Sequence, residues 1–106
     1  MSLRYVLNKT LKVLTVCGVG QGSSLLMKMF AEDVFRDLKI PAKVESTEIL
    51  TAKTGGADII ICSILHEPEL KDSAPIVIGL KNLIDKKEMK NKLVENLLKK
   101  GWVKEG

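Results

Sequence analysis

Within the eight residues Cys17-Gly18-Val19-Gly20-Gln21-Gly22-Ser23-Ser24 the chain places one thiol, three glycines and two hydroxyls. Glycines at that density let backbone N–H groups converge on a point without side-chain interference. A helix starting just after them adds its free N-terminal N–H groups and the positive end of its dipole. Such a concavity suits a dianionic phosphoryl group. The same field stabilises a thiolate, lowers the thiol pKa and makes the sulfur a nucleophile. Attack on phosphorus then yields a thiophosphate ester whose oxygens occupy the anion site. Cys17 is therefore the candidate nucleophile. Gly18, Val19, Gly20, Gln21, Gly22, Ser23 and Ser24 are the candidate phosphate cradle. The Gln21 amide either donates to a phosphoryl oxygen or points to solvent. The competing reading makes Cys17 a buried free thiol beside a tight turn, and the surrounding glycines and serines oppose it.

Three related motifs do not fit. A Walker loop needs lysine followed by Ser or Thr after its second glycine, and here Lys28 lies a full turn into the following helix. A dinucleotide fingerprint needs Gly-x-Gly-x-x-Gly, whereas these glycines stand at 18, 20 and 22. The cysteine phosphatase pattern needs arginine six residues after the cysteine, where this chain has Ser23, and no Asp-Pro pair supplies a general acid. Without the bidentate arginine and the acid, water attacks a phosphocysteine slowly. A long-lived phosphocysteine serves a carrier and is useless to a phosphatase.

The elements that must position this loop are legible in outline. Residues 12–17 are a β-branched, apolar run ending at glycine, the pattern of a buried parallel strand. A helix is expected from an N-cap at Ser23 or Ser24 to about Lys39, its core stripe Leu26, Phe30, Val34 and Leu38 widened by Leu25 and Met29. Residues 43–48 alternate as a more exposed strand, and 50–55 suit a short helix or turn. Residues 57–62 form a second buried strand, followed by a polar loop with His66, Glu67, Pro68 and Glu69. Residues 75–79 form a fourth strand. A last helix opens at the N-cap Asp85, buries Met89, Leu93 and Leu97, and closes at Gly101. This alternation predicts an α/β fold with a parallel sheet and helices on both faces. Ligands in such folds sit beyond the carboxyl ends of the strands, where Cys17 falls.

Length and composition suit one domain over residues 1–106, with a core at 12–100 and a leader of uncertain role at 1–11. No apolar run approaches the roughly 18–20 residues that span a bilayer, and two cysteines are too few for a disulfide scaffold. The expectation is a cytoplasmic protein with reduced thiols. The terminal residues Met1-Ser2-Leu3 and Glu105-Gly106 are given no functional weight. The net charge of +4 is densest at Lys86, Lys87, Lys90, Lys92, Lys99 and Lys100, interleaved with Glu88 and Glu95. No aromatic residue among them can stack bases, so they are expected to form a solvated helix face, with no nucleic-acid partner. His66 is expected as an exposed loop residue and Cys62 as a small core residue, with a reversible Cys17–Cys62 disulfide as a further possibility if their strands adjoin. Of Met27 and Met29, at least one should be core. Lys28 is expected to be solvated.

Val13-Leu14-Thr15-Val16-Cys17-Gly18-Val19-Gly20-Gln21-Gly22-Ser23-Ser24, with Met27-Lys28-Met29 after it, closely resembles the start of the ascorbate-type IIB components of the bacterial phosphoenolpyruvate-dependent sugar phosphotransferase system. The likeness continues through Gly56-Ala57-Asp58-Ile59-Ile60-Ile61 and Ile78-Gly79-Leu80-Lys81-Asn82. It implies a three-layer sandwich with a four-stranded parallel sheet of order 2-1-3-4, the lactose/cellobiose-IIB-like fold. It also implies a phosphotransferase component that takes phosphate from a IIA phosphohistidine onto Cys17. That phosphate then passes to a sugar, ascorbate-like or related, bound by the membrane transporter IIC, which recruits the domain to the inner face of the membrane. No metal or cofactor is implied. Position 19 is valine where asparagine is expected in close relatives. The rival functions are a low-molecular-weight cysteine phosphatase-like hydrolase and a non-catalytic anion-binding regulator.

Overall fold

The structure, a computed structural model, describes residues 3–16 and 21–105, with the backbone alone over 21–24. Along the chain run β1 (Leu3–Tyr5), β2 (Leu11–Val16), α1 (Gln21–Asp37), β3 (Ala42–Thr47), α2 (Ile49–Thr54), β4 (Ile59–Ser63), α3 (Glu67–Leu70), β5 (Ile76–Leu80), α4 (Lys86–Lys100) and β6 (Val103–Glu105). The near-continuous apolar runs become β2, β4 and β5, because a strand covered on both faces needs no polar alternation. β2 pairs in parallel with β3 from Leu11↔Ala42 to Val16↔Thr47, and on its other side with β4 from Val13↔Ile59 to Thr15↔Ile61. β5 joins β4 in parallel, giving the order β3-β2-β4-β5. Counted from β2, this is the expected 2-1-3-4.

Period-two alternation sends the strand side chains to two separate cores. Leu11, Val13, Ile59, Ile61, Ile76, Ile78 and Leu80 pack with α1 and α4. Leu14, Val16, Ile60 and Cys62 pack on the other face with Ala52 of α2 and Leu70 of α3. Each fully buried aliphatic side chain contributes roughly 2 kcal/mol from lost water contact. The first core is the larger, since α1 and α4 are 17 and 15 residues long while α2 and α3 have 6 and 4.

α1 departs from expectation twice. It begins at Gln21, so Gly22, Ser23 and Ser24 stand inside its first turn rather than before it, and neither serine is the N-cap. Glycine weakens helix interiors, but first-turn N–H groups lack intrahelical acceptors in any helix. The buried stripe is Met27, Ala31, Val34 and Phe35, with Phe30 and Leu38 packed at its margin, while Leu25, Leu26 and Met29 are exposed. A strict four-residue repeat advances about 40° around the helix at each step and spirals off the core; only mixed three- and four-residue steps stay on one face.

α4 follows its sequence signals. Asp85 Oδ1 accepts from the Glu88 N–H, Met89, Leu93 and Leu97 are buried, and Gly101 closes the helix at φ 74, a left-handed value that disfavours a β-carbon. Three elements were not foreseen. The polar loop after β4 winds into α3, with Pro68 in its first turn. The chain ends also meet: β1 and β6 form an antiparallel ribbon, Leu3↔Glu105 to Tyr5↔Val103, that packs Leu3, Tyr5 and Trp102 against the larger core.

Candidate functional site at the carboxyl end of the sheet

Parallel strands all deliver their carboxyl ends to one side of the sheet. The start of α1, which follows β2, therefore shares a face with the segments that follow β3, β4 and β5: α2, the 64–66 turn with α3, and the 81–85 turn. β2 is held on both sides by β3 and β4 up to Thr15. The Thr15 hydroxyl, fully buried, donates to Glu45 O at 3.5 Å. Cys17, Gly18, Val19 and Gly20 lie outside the described residues. Gln21, Gly22, Ser23 and Ser24 supply the backbone of α1's first turn, and that turn contains no acidic residue. A helix start without carboxylates leaves its positive end for an external anion.

The 81–85 turn is built around one carboxylate. Glu88 accepts hydrogen bonds from the backbone N–H groups of Lys81 at 2.9 Å and Asn82 at 3.1 Å, and pairs with Lys92 at 2.9 Å. The Lys81 N–H, the Lys92 ammonium and the Asn82 N–H together hold its pKa down at about 2. Lys92 also donates to Gly79 O at the end of β5. Asn82 Oδ1 accepts from the Ile84 N–H, and Asn82 O from the Asp85 N–H. Glu88 sits three residues after the N-cap, where a capping box would send its carboxylate back to Asp85; it reaches further, to Lys81 and Asn82 just past β5. Asp85-x-x-Glu88 was the visible signal, but it specifies a cap rather than this bridge.

The remaining expected residues separate clearly. Cys62 is wholly buried and its thiol donates to Ile78 O at 3.6 Å. Burial, with the Glu67 charge adding to it, pushes its pKa up to about 12. Cys62 is packing, and a disulfide to Cys17 involves a residue outside the described set. His66 is half-buried at the N-cap of α3 and makes no side-chain cap bond. Met27 is core and Met29 exposed, and Lys28 is half-buried. Glu67 lies over Gly79, where an added β-carbon would stand 2.6 Å from its Oε1. Glycine inside a strand pattern was the available sign of that close approach.

Asp58, inside a stretch that carried the family likeness, is at the opposite end of the sheet. It accepts from the Lys12 N–H at 2.9 Å and from Lys9 Nζ at 2.8 Å. Partial burial raises its pKa, but these bonds and the lysine charges outweigh burial and the net shift is downward. Its work is structural, joining the start of β4 to the start of β2.

Around the carboxyl face, aliphatic side chains stand in solvent: Leu25, Leu26 and Met29 on α1, Leu50 on α2, Ile64 and Leu65 after β4, and Ile84 after β5. Leu65 is 82% exposed and Leu50 74%. Of the large apolar residues exposed among those described, only Val6 lies elsewhere.

Residues 12–95 match the family described as PTS system, Lactose/Cellobiose specific IIB subunit. The ascorbate-specific PTS system EIIB component of Mycoplasma pneumoniae is 37% identical over 89 residues, 81% of this chain and 94% of that protein. The component of the same name from Salmonella choleraesuis is 35% identical over 89 residues, 81% of this chain and 88% of that protein. Among solved structures, the lactose-specific IIB component domain from Streptococcus pneumoniae superposes with a TM-score of 0.59 at 20% identity, covering 85% of this chain and 97% of that one. A IIB subunit from Escherichia coli K12 gives 0.54 at 22% identity, covering 90% and 98%. At those identities the structural likeness speaks for the fold. The β1–β6 ribbon lies outside the matched residues.

Proposed function

The chain belongs to the lactose/cellobiose-type IIB family of the sugar phosphotransferase system, and on that premise we propose that it carries a phosphoryl group on the sulfur of Cys17. The donor is a IIA phosphohistidine. The Cys17 thiolate attacks phosphorus, the P–N bond breaks, and the released imidazole keeps the electron pair and takes a proton. In the second step a hydroxyl of a sugar held by IIC attacks the same phosphorus and gives up its proton to solvent, the P–S bond breaks, and sulfur keeps the electron pair as the regenerated thiolate. Between the two steps the backbone of Gly18, Val19, Gly20, Gln21 and Gly22, with Ser23 and Ser24, cradles the phosphoryl oxygens. The two named relatives favour ascorbate or a related sugar acid as the final acceptor.

The observation that carries this reading is positional. The central strand ends at Val16, α1 begins at Gln21 with no carboxylate in its first turn, and the chain between them starts with Cys17. The apolar rim supports a domain that works by touching other proteins, at the cytoplasmic face of the membrane where IIC is reached. The other described thiol is no rival, since Cys62 is fully buried. A phosphatase is disfavoured because Ser23 occupies the arginine position.

Intact mass after incubation with phosphoenolpyruvate, the general phosphotransferase enzymes and a IIA protein tests the reading. Wild type and Cys62→Ser should gain one phosphoryl group and Cys17→Ser none. Full labelling of Cys17→Ser would remove Cys17 from its role.

A further inference from the structure

The carboxyl face carries one segment that is braced far more heavily than a surface turn requires. In 81–85 the N–H groups of Lys81 and Asn82 are held by Glu88, that of Ile84 by Asn82 Oδ1, and that of Asp85 by Asn82 O. Lys92 ties the same carboxylate to Gly79 O, so the end of β5, the turn and two turns of α4 form one rigid unit. Loops are ordinarily the mobile parts of a fold. Its exposed residues are Lys81, Asn82 and Ile84, and Ile84, 55% exposed, is the apolar one.

The turn's location gives the bracing a use. β5 is separated from β2 by β4 alone, and strands lie about 4.8 Å apart. A turn at the end of β5 is therefore roughly 10 Å across the face from the end of β2. A protein delivering a phosphoryl group to Cys17 must approach this face and, with a partner footprint of about 800 Å², must cover a turn that near. Holding the backbone of this turn in place before binding removes part of the ordering cost that association would otherwise carry.

We propose that Glu88 is a positioning residue for phosphoryl loading: it holds the 81–85 turn so that Ile84 meets the incoming phosphoryl-donor protein. The proposal rests on the carrier reading above. Glu88 does not touch the phosphoryl group; its effect passes through the turn.

The initial rate of Cys17 phosphorylation, measured against the concentration of phosphorylated IIA, decides the matter. Glu88→Ala should raise KM about tenfold and leave kcat within about twofold, the pattern of lost uniform binding. Ile84→Ser should raise KM by about threefold to tenfold without lowering Tm, since its side chain is on the surface. The double variant should be much less impaired than the product of the two, because both act through one turn. Glu88→Gln, which keeps an acceptor for one N–H group, should fall between wild type and Glu88→Ala, and it carries the test if the alanine variant fails to fold. An unchanged KM in Glu88→Gln and Ile84→Ser, or a loss confined to kcat, overturns the proposal while leaving the carrier reading intact. Wild-type protein that takes no phosphate on Cys17 overturns both.

Discussion

Gly79 and Glu67 occupy one another's space. An added β-carbon at Gly79 would lie 2.6 Å from Glu67 Oε1 and 2.8 Å from its Cδ, both mobile side-chain atoms rather than backbone. Gly79→Ala is therefore expected to cost about 1 kcal/mol, and Glu67→Ala to recover most of that in the double variant, as contacting residues couple. Equal losses with and without Glu67, read from urea midpoints, would locate the strain elsewhere. The carboxylates set an acid limit of their own. Asp58 and Glu88 have folded pKa values below their unfolded ones of 3.8 and 4.5. Such groups contribute stability that is complete above the unfolded value and is lost as pH falls toward the folded one. The urea midpoint should drop between about pH 4.5 and 2, the window Glu88 sets, and Glu88→Gln should flatten part of that drop. Cys62 supplies a contrast: a thiol with a pKa pushed up to about 12 should resist iodoacetamide until the chain unfolds.

Elements were legible in proportion to how locally they are determined. β4 and β5 announce themselves because Ile59-Ile60-Ile61 and Ile76-Val77-Ile78 have no polar side to show. α4 has both caps written in sequence, Asp85 and Gly101, and its stripe Met89, Leu93, Leu97 spans only two steps, too short to drift off the core. α1 is longer, and over its length the four-residue repeat chosen from Leu26 to Leu38 diverges from the true helical period. α3 has only Leu70 as an apolar residue, so no period existed to detect. The ribbon was invisible because Leu3 pairs with Glu105 across the whole chain and three-residue strands carry no pattern. The neighbourhood of the proposed nucleophile was the reverse case. Residue types alone suggested its chemistry, whereas the brace on the 81–85 turn needed coordinates, since Glu88 serves backbone atoms that no sequence pattern distinguishes.

On the scale of the whole molecule, the two faces of the sheet are unequally covered. α1 and α4 roof one core, while α2 and α3 give the other only Ala52 and Leu70 as fully buried helical residues. Leu93→Ala should cost about 3 kcal/mol of global stability, as deletions in large cores do. Amides of α2 and α3 should exchange with solvent hydrogen well before those of α1 and α4; uniform protection across all four helices would contradict this. The ribbon has a different consequence. It places Leu3 and Glu105 opposite one another, and α4 runs from the carboxyl end of the sheet back to the amino end, so the ribbon lies on the side away from the carboxyl end of β2. A circular permutant that joins Glu105 to Leu3 by a few glycines and opens the chain at the exposed Gly56 should therefore fold, with its helical circular dichroism and urea midpoint near those of the parent. By the same geometry, another protein tethered through the ribbon would act as a leash, raising the local concentration of the proposed carrier while leaving the carboxyl face of the sheet unobstructed.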